Sequence, residues 1–136
     1  MSNIVKIQKK IQNFKKTITV PGDKSLSIRW VIFASLANGK SKAKNILMSE
    51  DVLAAIETIK KLGIKVIISK KECKVFGRGI DGYRYKKNLK INAQNSGTLG
   101  RLILGLLVNS PEPINLVGDK SLSKRDFRRV SDPLSK

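Results

Sequence analysis

The sequence predicts a mixed α/β domain of the α+β type. Short runs of β-type residues alternate with stretches of helical periodicity, and one pair of runs has the pattern of a hairpin. With 136 residues, 40% of them hydrophobic, the chain matches one globular domain or a piece of a larger one. No linker or shift in composition marks an internal boundary.

A strand and a helix are predicted first. The run TITV at 17–20 is of β type and ends at Pro21-Gly22. From Ser25 the pattern becomes helical and continues to Asn38-Gly39, and a short strand is expected at roughly 41–47. The expected inward face of this helix is spaced i, i+4, i+7 and i+11: Leu26, Trp30, Phe33 and Ala37.

The second helix has the clearest signals in the chain. Ser49 is a candidate N-cap, and Glu50 and Asp51 stand where the helix dipole favours carboxylates. Gly63 is the expected residue after the C-cap. One apolar face is expected to be buried, with these members: Val52, Ile56, Ile59 and Leu62, with Leu53 beside them.

Three more strands and a third helix follow. KVIIS at 65–69 and CKVF at 73–76 form a predicted hairpin joined by Lys70-Lys71-Glu72, and LKI at 89–91 and INLV at 114–117 are predicted strands. Between the last two, a helix is expected from 95–98 to about Asn109. Its expected inward residues are Leu99, Leu102, Ile103, Leu106 and Leu107.

Composition excludes several classes of protein. A single cysteine and no histidine rule out a disulfide within the chain, Cys/His zinc sites and His-based triads, and no metal site is expected. No apolar stretch has the length of a signal-peptide core or a membrane span, so we expect a cytoplasmic protein without membrane contact.

The formal net charge is +18, from 28 basic and 10 acidic residues. A polyanion-binding module is one interpretation. However, the lysines are spread along the whole chain, aromatic residues make up only 5%, and basic and aromatic residues are not interleaved. The pattern therefore favours solvated lysines over a nucleic-acid-binding module, which stays as an alternative.

The segment PGDKSLSIR at 21–29, here called loop 1, joins the first strand to the first helix. A tight turn followed by a helix N-terminus leaves backbone N–H groups free for a phosphate or carboxylate. Lys24 adds a positive charge, Ser25 a hydroxyl, and Arg29 lies one turn further on the same face. The alternative is a helix capped by Ser25, with Lys24 and Arg29 solvated.

Two later segments have similar features for binding an anion. Loop 2, NSGTLGR at 95–101, begins a helix with Gly97 and polar Asn95 and Thr98. Loop 3, GDKSLSKRDFRR at 118–129, repeats seven of eight residues of 22–29 at its start. Each loop alone fits an ordinary turn or a solvated basic segment. Together they predict a ligand with several negative charges, bound where the loops meet at one edge of the sheet.

These motifs resemble a known family. Loop 1 is similar to the PGDKSxSxR signature of EPSP synthases, loop 2 to their NAGTxxR, and GDKSLSKRDFRRVSDPL to their GDxSLxxRPMxxLxDPL, in family order from about Val20 to Leu134. The resemblance implies βαββαβ units of the enolpyruvyl transferase fold. It also implies transfer of the carboxyvinyl group of phosphoenolpyruvate to the 5-hydroxyl of shikimate 3-phosphate, in aromatic amino acid biosynthesis, by a monomer without a cofactor.

The resemblance also implies roles for residues in all three loops. Lys24 would contact both substrates, and Ser25 and Arg29 would hold shikimate 3-phosphate. The phosphoenolpyruvate contacts would come from Asn95, Gly97 and Arg125, with Thr98 and Arg101 supporting loop 2. The sequence departs from the family pattern at Ile28, Trp30, Leu102 and Asp126. Asp126 is the most consequential, because a carboxylate beside Arg125 is expected to neutralise part of its charge and weaken phosphoenolpyruvate binding.

The chain contains no candidate acid–base pair for the proton transfers. The resemblance ends within its last motif, at DPLSK, so we expect a partial chain that is inactive alone. Residues 1–19 would pair with an absent second domain, and residues 20–136 would be part of the first substrate-binding domain. Two further interpretations stay open, a relative acting on UDP-N-acetylglucosamine and a decayed remnant, although Ser25 and Arg29 fit shikimate phosphate better.

Overall fold

A computed structural model describes Lys6, Gln8, Asn13, residues 15–70 and residues 72–136. Helices and strands alternate, which confirms the predicted mixed α/β class. In chain order the elements are α1 (Lys24–Leu36), β1 (Asn38–Lys44), α2 (Glu50–Lys61), β2 (Lys65–Ile68), β3 (Glu72–Arg78), β4 (Leu89–Asn92), α3 (Gly97–Leu107), β5 (Ile114–Val117), a 3₁₀ turn (Leu122–Lys124) and α4 (Arg128–Leu134).

The strands form two sheets. The first is antiparallel, with β3 in the centre between β1 and β2. The second is a parallel pair, β4 and β5, in which Asn92 lies opposite Val117. The predicted 65–69 and 73–76 hairpin is thus confirmed as β2 and β3, although its turn residue Lys71 lies outside the described residues. A parallel pair needs a crossover, and α3 supplies it.

Helix α2 forms as its sequence predicts. Its expected inner face is fully buried (Val52, Ile56, Ile59 and Leu62), whereas Leu53 is 42% exposed. At the C-terminus, Gly63 has a φ of 86°, and the N–H groups of Gly63 and Ile64 donate to the carbonyls of Lys60 and Ile59. These two bonds are a Schellman motif, which ends the helix where glycine tolerates the left-handed backbone.

The predicted inner face of α1 is wrong. Leu26 and Phe33 are 67% and 61% exposed, and the buried residues are Ser27, Ile28, Val31, Ile32, Ala34 and Ser35. This helix carries its own apolar side chains on nearly all of its faces, so their spacing alone could not identify the buried face. The helix also begins at Lys24, one residue before the expected start at Ser25, and its N-cap is Asp23.

The predicted strand at 17–20 does not form within the described residues, and the strand expected at 41–47 lies at 38–44 instead. Residues 17–20 are exposed and pair with no described strand. A strand is stable only in a ladder, so a β-type sequence without a neighbour stays irregular. Of the segment expected to pair with a second domain, residues 1–19, most lie outside the described residues.

The core lies between the first sheet and the helices. Helix α1 packs on α2, α3 and β3, and the fully buried large side chains come from all these elements. On the outer face of the first sheet, Glu72 of β3 binds Lys42 of β1 at 2.8 Å and Lys74 of its own strand at 2.6 Å. No helix of the described residues is long and apolar enough to cross a membrane.

Candidate functional site

Loop 1 is organised by Asp23. One carboxylate oxygen of Asp23 accepts the N–H of Leu26 at 2.6 Å, and the carbonyl of Asp23 accepts from both the N–H and the hydroxyl of Ser27. This cap leaves Lys24 and Ser25 in the first turn of α1. Lys24 Nζ binds the carboxylate of Asp51, at the start of α2, at 2.9 Å.

Arg29 lies one turn after Ser25 on α1. Its Nη1 donates to the carbonyl oxygen of Ser25 at 3.2 Å, and its side chain faces solvent. The structure therefore brings Ser25 and Arg29 together, with Lys24 in the same helical turn as Ser25. A hydroxyl, a guanidinium and an ammonium group at one helix start can contact a phosphate.

Loops 2 and 3 lie side by side because their strands are parallel neighbours. The ladder of β4 and β5 continues past the strand ends: Ala93 N–H donates to the carbonyl of Val117, and Asp119 N–H to the carbonyl of Gln94, each at 2.9 Å. Gln94 has a left-handed φ of 52°, which turns the chain towards α3. The two loops thus meet at the carboxyl edge of this sheet, where α/β folds commonly bind ligands.

A series of side-chain hydrogen bonds joins loop 3 to loop 2. The carboxylate of Asp119 accepts from Leu122 N–H at 2.7 Å and from the side-chain amide of Asn95 at 2.9 Å. The carbonyl oxygen of Asn95 in turn accepts from Nη2 of Arg125 at 2.8 Å. Arg125, 30 residues away in sequence, is thereby held against the start of α3.

Gly97, the first residue of α3, is the point on which two guanidinium groups converge. A Cβ at this position would lie 2.7 Å from Nη1 of Arg125 and 3.0 Å from Nη1 of Arg101. Any side chain would displace one of the two arginines. Since α3 also begins here, capped by the buried Ser96, two positive charges and a helix N-terminus share one small region.

Arg101 is fixed by loop 3. Its guanidinium carbon lies 5.2 Å from the centre of the Phe127 ring, and its Nη2 donates to the carbonyl of Asp126 at 3.3 Å. Its Nε is buried without a hydrogen-bond partner. Thr98 follows Gly97 in the first turn and is half-buried.

Asp126 pairs with Arg128 and not with its neighbour Arg125, and the expected weakening of phosphoenolpyruvate binding stays a prediction. Both carboxylate oxygens of Asp126 accept from the side chain of Arg128, and its Oδ1 also accepts the N–H of Arg128. These bonds, with the nearby charges of Arg129 and Arg101, hold the pKa of Asp126 below its usual value. Asp126 pairs with Arg128 because its carboxylate also accepts the backbone N–H of Arg128, and this bond directs the carboxylate towards Arg128.

The three loops do not form a single hydrogen-bonded cluster. Among the described residues, no hydrogen bond or ion pair joins loop 1 to loop 2 or loop 3, although α1 packs on α3. Sequence reasoning also missed Asp23, Ser96 and Asp119 as organising residues. The seven-residue match between loops 1 and 3 was the available signal, because Asp23 and Asp119 occupy the same position in it.

Comparison with known proteins connects these loops to one family. The sequence model of EPSP synthase (3-phosphoshikimate 1-carboxyvinyltransferase) matches residues 8–136. The 3-phosphoshikimate 1-carboxyvinyltransferase of Bacillus cytotoxicus is 42% identical over 118 residues, which are 87% of this chain and 28% of that protein. The enzyme of the same name from Streptococcus suis is 43% identical over 131 residues, which are 96% and 30% of the two chains.

The fold agrees with the sequence match. A solved EPSP synthase from Acinetobacter baumannii superposes with a TM-score of 0.80 at 34% identity, covering 87% of this chain and 26% of that one. The chain thus spans less than a third of the length of the relatives it matches. The family match over nearly the whole chain, the shared fold and the three loop motifs lead to one conclusion: the chain belongs to the EPSP synthase (3-phosphoshikimate 1-carboxyvinyltransferase) family.

Proposed function

We propose that this chain supplies anion-binding loops for transfer of the carboxyvinyl group from phosphoenolpyruvate to the 5-hydroxyl of shikimate 3-phosphate. Residues 20–136 are part of a substrate-binding domain, and residues 1–19 pair with a second domain. The protein acts in the cytoplasm as a monomer. Phosphoenolpyruvate is held by Lys24, Asn95, Gly97 and Arg125, with Thr98 and Arg101 supporting loop 2, and shikimate 3-phosphate is held by Lys24, Ser25 and Arg29.

The observation that carries this proposal is the convergence of Arg101 and Arg125 on Gly97. Two guanidinium groups repel each other, and among the described residues neither forms an ion pair with a carboxylate. Such an arrangement is favourable when an anion beside Gly97 accepts from Arg125 and from the free N–H groups of α3, while the neighbouring charge of Arg101 supports the loop. A ligand with adjacent carboxylate and phosphate groups, such as phosphoenolpyruvate, meets this requirement.

Loop 1 supports the second substrate. Arg29 is exposed and lies one turn after the half-buried Ser25, so a phosphate at the start of α1 can reach both. Lys24 is 53% exposed and engaged with Asp51, so a bound phosphate competes with that carboxylate. Contacts of this charge-assisted kind contribute about 1.5–3 kcal/mol each.

The chain alone binds the two substrates and does not catalyse the transfer between them. The reaction needs an acid and a base placed at the reacting atoms, whereas the carboxylates nearest these loops hold structural partners: Asp23 and Asp119 cap turns, and Asp51 binds Lys24. The binding loops and the proton-transfer groups therefore belong to different parts of the active site.

Calorimetric titration of the chain with phosphoenolpyruvate, in the presence of shikimate 3-phosphate, tests the proposal. Gly97→Ala should weaken phosphoenolpyruvate binding at least about tenfold, because its methyl group displaces Arg125 or Arg101. Gly105→Ala is the matched control: it adds the same methyl to the same helix at a position where a Cβ meets nothing within 4 Å. Its affinity should equal that of the wild type.

Different outcomes would favour different functions. Saturable binding of UDP-N-acetylglucosamine without binding of shikimate 3-phosphate would favour an enolpyruvyl transferase that acts on UDP-N-acetylglucosamine. Tight RNA binding that weakens steeply between about 50 and 200 mM salt, without small-ligand binding, would indicate a nucleic-acid-binding module. Either result would overturn the proposal.

A further inference from the structure

We propose that Asp119 is a positioning residue for phosphoenolpyruvate binding, because it fixes the orientation of the Asn95 amide and through it the guanidinium of Arg125. This inference rests on the proposed function. It assigns a specific task to a carboxylate that touches neither substrate.

The orientation of Asn95 follows from its two neighbours. Asp119 offers only acceptors and Arg125 offers only donors. The amide can satisfy both in one orientation alone, with its NH₂ group towards Asp119 and its carbonyl oxygen towards Arg125, as the 2.9 Å and 2.8 Å bonds show. Without the carboxylate, the amide is free to turn its NH₂ group towards the guanidinium, where donor faces donor and the bond is lost.

Asp119 itself is placed by the fold and not by the ligand. Its N–H donates to the carbonyl of Gln94, as a continuation of the β4–β5 ladder. Its first carboxylate oxygen caps the N–H of Leu122, whose side chain is 3% exposed. The second oxygen then points at Asn95. Asp119 is therefore held at its backbone N–H and at its first carboxylate oxygen before any substrate binds, as a positioning residue requires.

The repeated motif provides an internal comparison. Asp23 occupies the same position in loop 1 and makes the same cap, to Leu26 N–H at 2.6 Å. Its second carboxylate oxygen has no hydrogen-bond partner among the described residues. The two aspartates therefore share the capping role, and only Asp119 has the additional bond to a loop that binds substrate.

The test compares Asp119→Asn with Asp23→Asn. Asparagine caps a turn about as well as aspartate, so both variants should unfold close to the wild-type temperature. In Asp119→Asn, however, an NH₂ group can replace the second acceptor and favour the inverted Asn95 amide. We expect the dissociation constant for phosphoenolpyruvate to rise about tenfold in this variant. Asp23→Asn, which keeps its cap, measures how much of that rise comes from changing a capping carboxylate alone.

The direction of the change separates positioning from charge. Removing a carboxylate near an anion site makes the local potential more positive, which alone would tighten binding. Weaker binding in Asp119→Asn supports the positioning role, and equal or tighter binding overturns it while leaving the proposed function intact.

A second measurement does not need the substrate. In the ligand-free chain, NMR of arginine side chains reports rotation of the Arg125 guanidinium, which should be faster in Asp119→Asn and unchanged in Asp23→Asn. Unchanged rotation in Asp119→Asn would overturn the inference. If the wild type bound no phosphoenolpyruvate, the proposed function would fail, and the NMR comparison would still decide whether Asp119 positions Arg125.

Discussion

At the scale of single residues, the candidate site is defined by which charges already have partners. Asp126 is bound to Arg128, and Asp119 is bound to Asn95 and Leu122, so Arg125 and Arg101 keep their charge for a ligand. Lys24 differs, because Asp51 holds it at 2.9 Å. If loop 1 binds a phosphate as proposed, the ligand must compete with this ion pair for Lys24.

Asp51→Asn should strengthen binding of shikimate 3-phosphate about threefold. A partly exposed ion pair contributes roughly 0.2–1 kcal/mol, and its removal frees Lys24 for the ligand. Calorimetry measures the change. Asp81→Asn is the control for losing one negative charge, since Asp81 is exposed and forms no ion pair among the described residues. Equal or weaker binding by Asp51→Asn would show that Lys24 does not reach the phosphate.

The sequence predicted some of these residues and not others, for physical reasons. Lys24, Ser25 and Arg29 follow from one local segment, and the structure does bring Ser25 and Arg29 together. The Asn95–Arg125 bond depends on the parallel pairing of β4 and β5, which no local pattern reveals. The partner of Asp126 could not be predicted either, because arginines at 125 and 128 are both within reach and local cap geometry selects the second.

At the scale of elements, the buried face of a helix is predicted more accurately when its apolar and charged residues lie on opposite faces. Helix α2 has a charged face opposite an apolar one, and all the residues predicted for its buried face except Leu53 are buried. Helix α1 has no such contrast, and its inner face was predicted wrongly. Strand β1, NGKSKAK, lacks β-type residues almost entirely, and its position is set by pairing with β3. Tertiary contacts override weak local preference in both cases.

Glu72 makes the first sheet sensitive to acid. Lys42 and Lys74 are paired directly opposite across β1 and β3, and Glu72 binds both. These lysines lower the pKa of Glu72 to about 2. Because the folded-state pKa lies below the usual value, the carboxylate stabilises the native state fully above about pH 4.5, and this contribution is lost as the pH falls towards 2.

Glu72→Gln should therefore flatten the dependence of unfolding free energy on pH in this window. Urea unfolding between about pH 5 and pH 2 measures the slope for each protein. The same substitution at Glu57, an exposed carboxylate paired with Lys60 within one helix, is the control for removing one acidic group. Parallel curves for the wild type and Glu72→Gln would contradict this account of the ion pairs.

At the scale of the whole molecule, the net charge of +18 opposes compactness. Repulsion among the spread lysines is screened as the Debye length falls from about 30 Å at 0.01 M to about 8 Å at 0.15 M salt. The melting temperature, measured by circular dichroism, should rise by several degrees over this range of salt concentration. The rise should depend on ionic strength and not on which monovalent anion is used. A flat or falling curve would mean that local ion pairs outweigh the overall repulsion.

The order of elements along the chain also sets the order in which they become available during synthesis. The three strands of the first sheet all lie within residues 38–78, so their partners are present before loop 2 is made. Translation adds about 5–20 residues per second, and Arg125 is added some seconds later. A nascent chain can thus assemble its first sheet several seconds before Arg125 reaches the start of α3, so the sheet is expected to fold before the proposed anion site is complete.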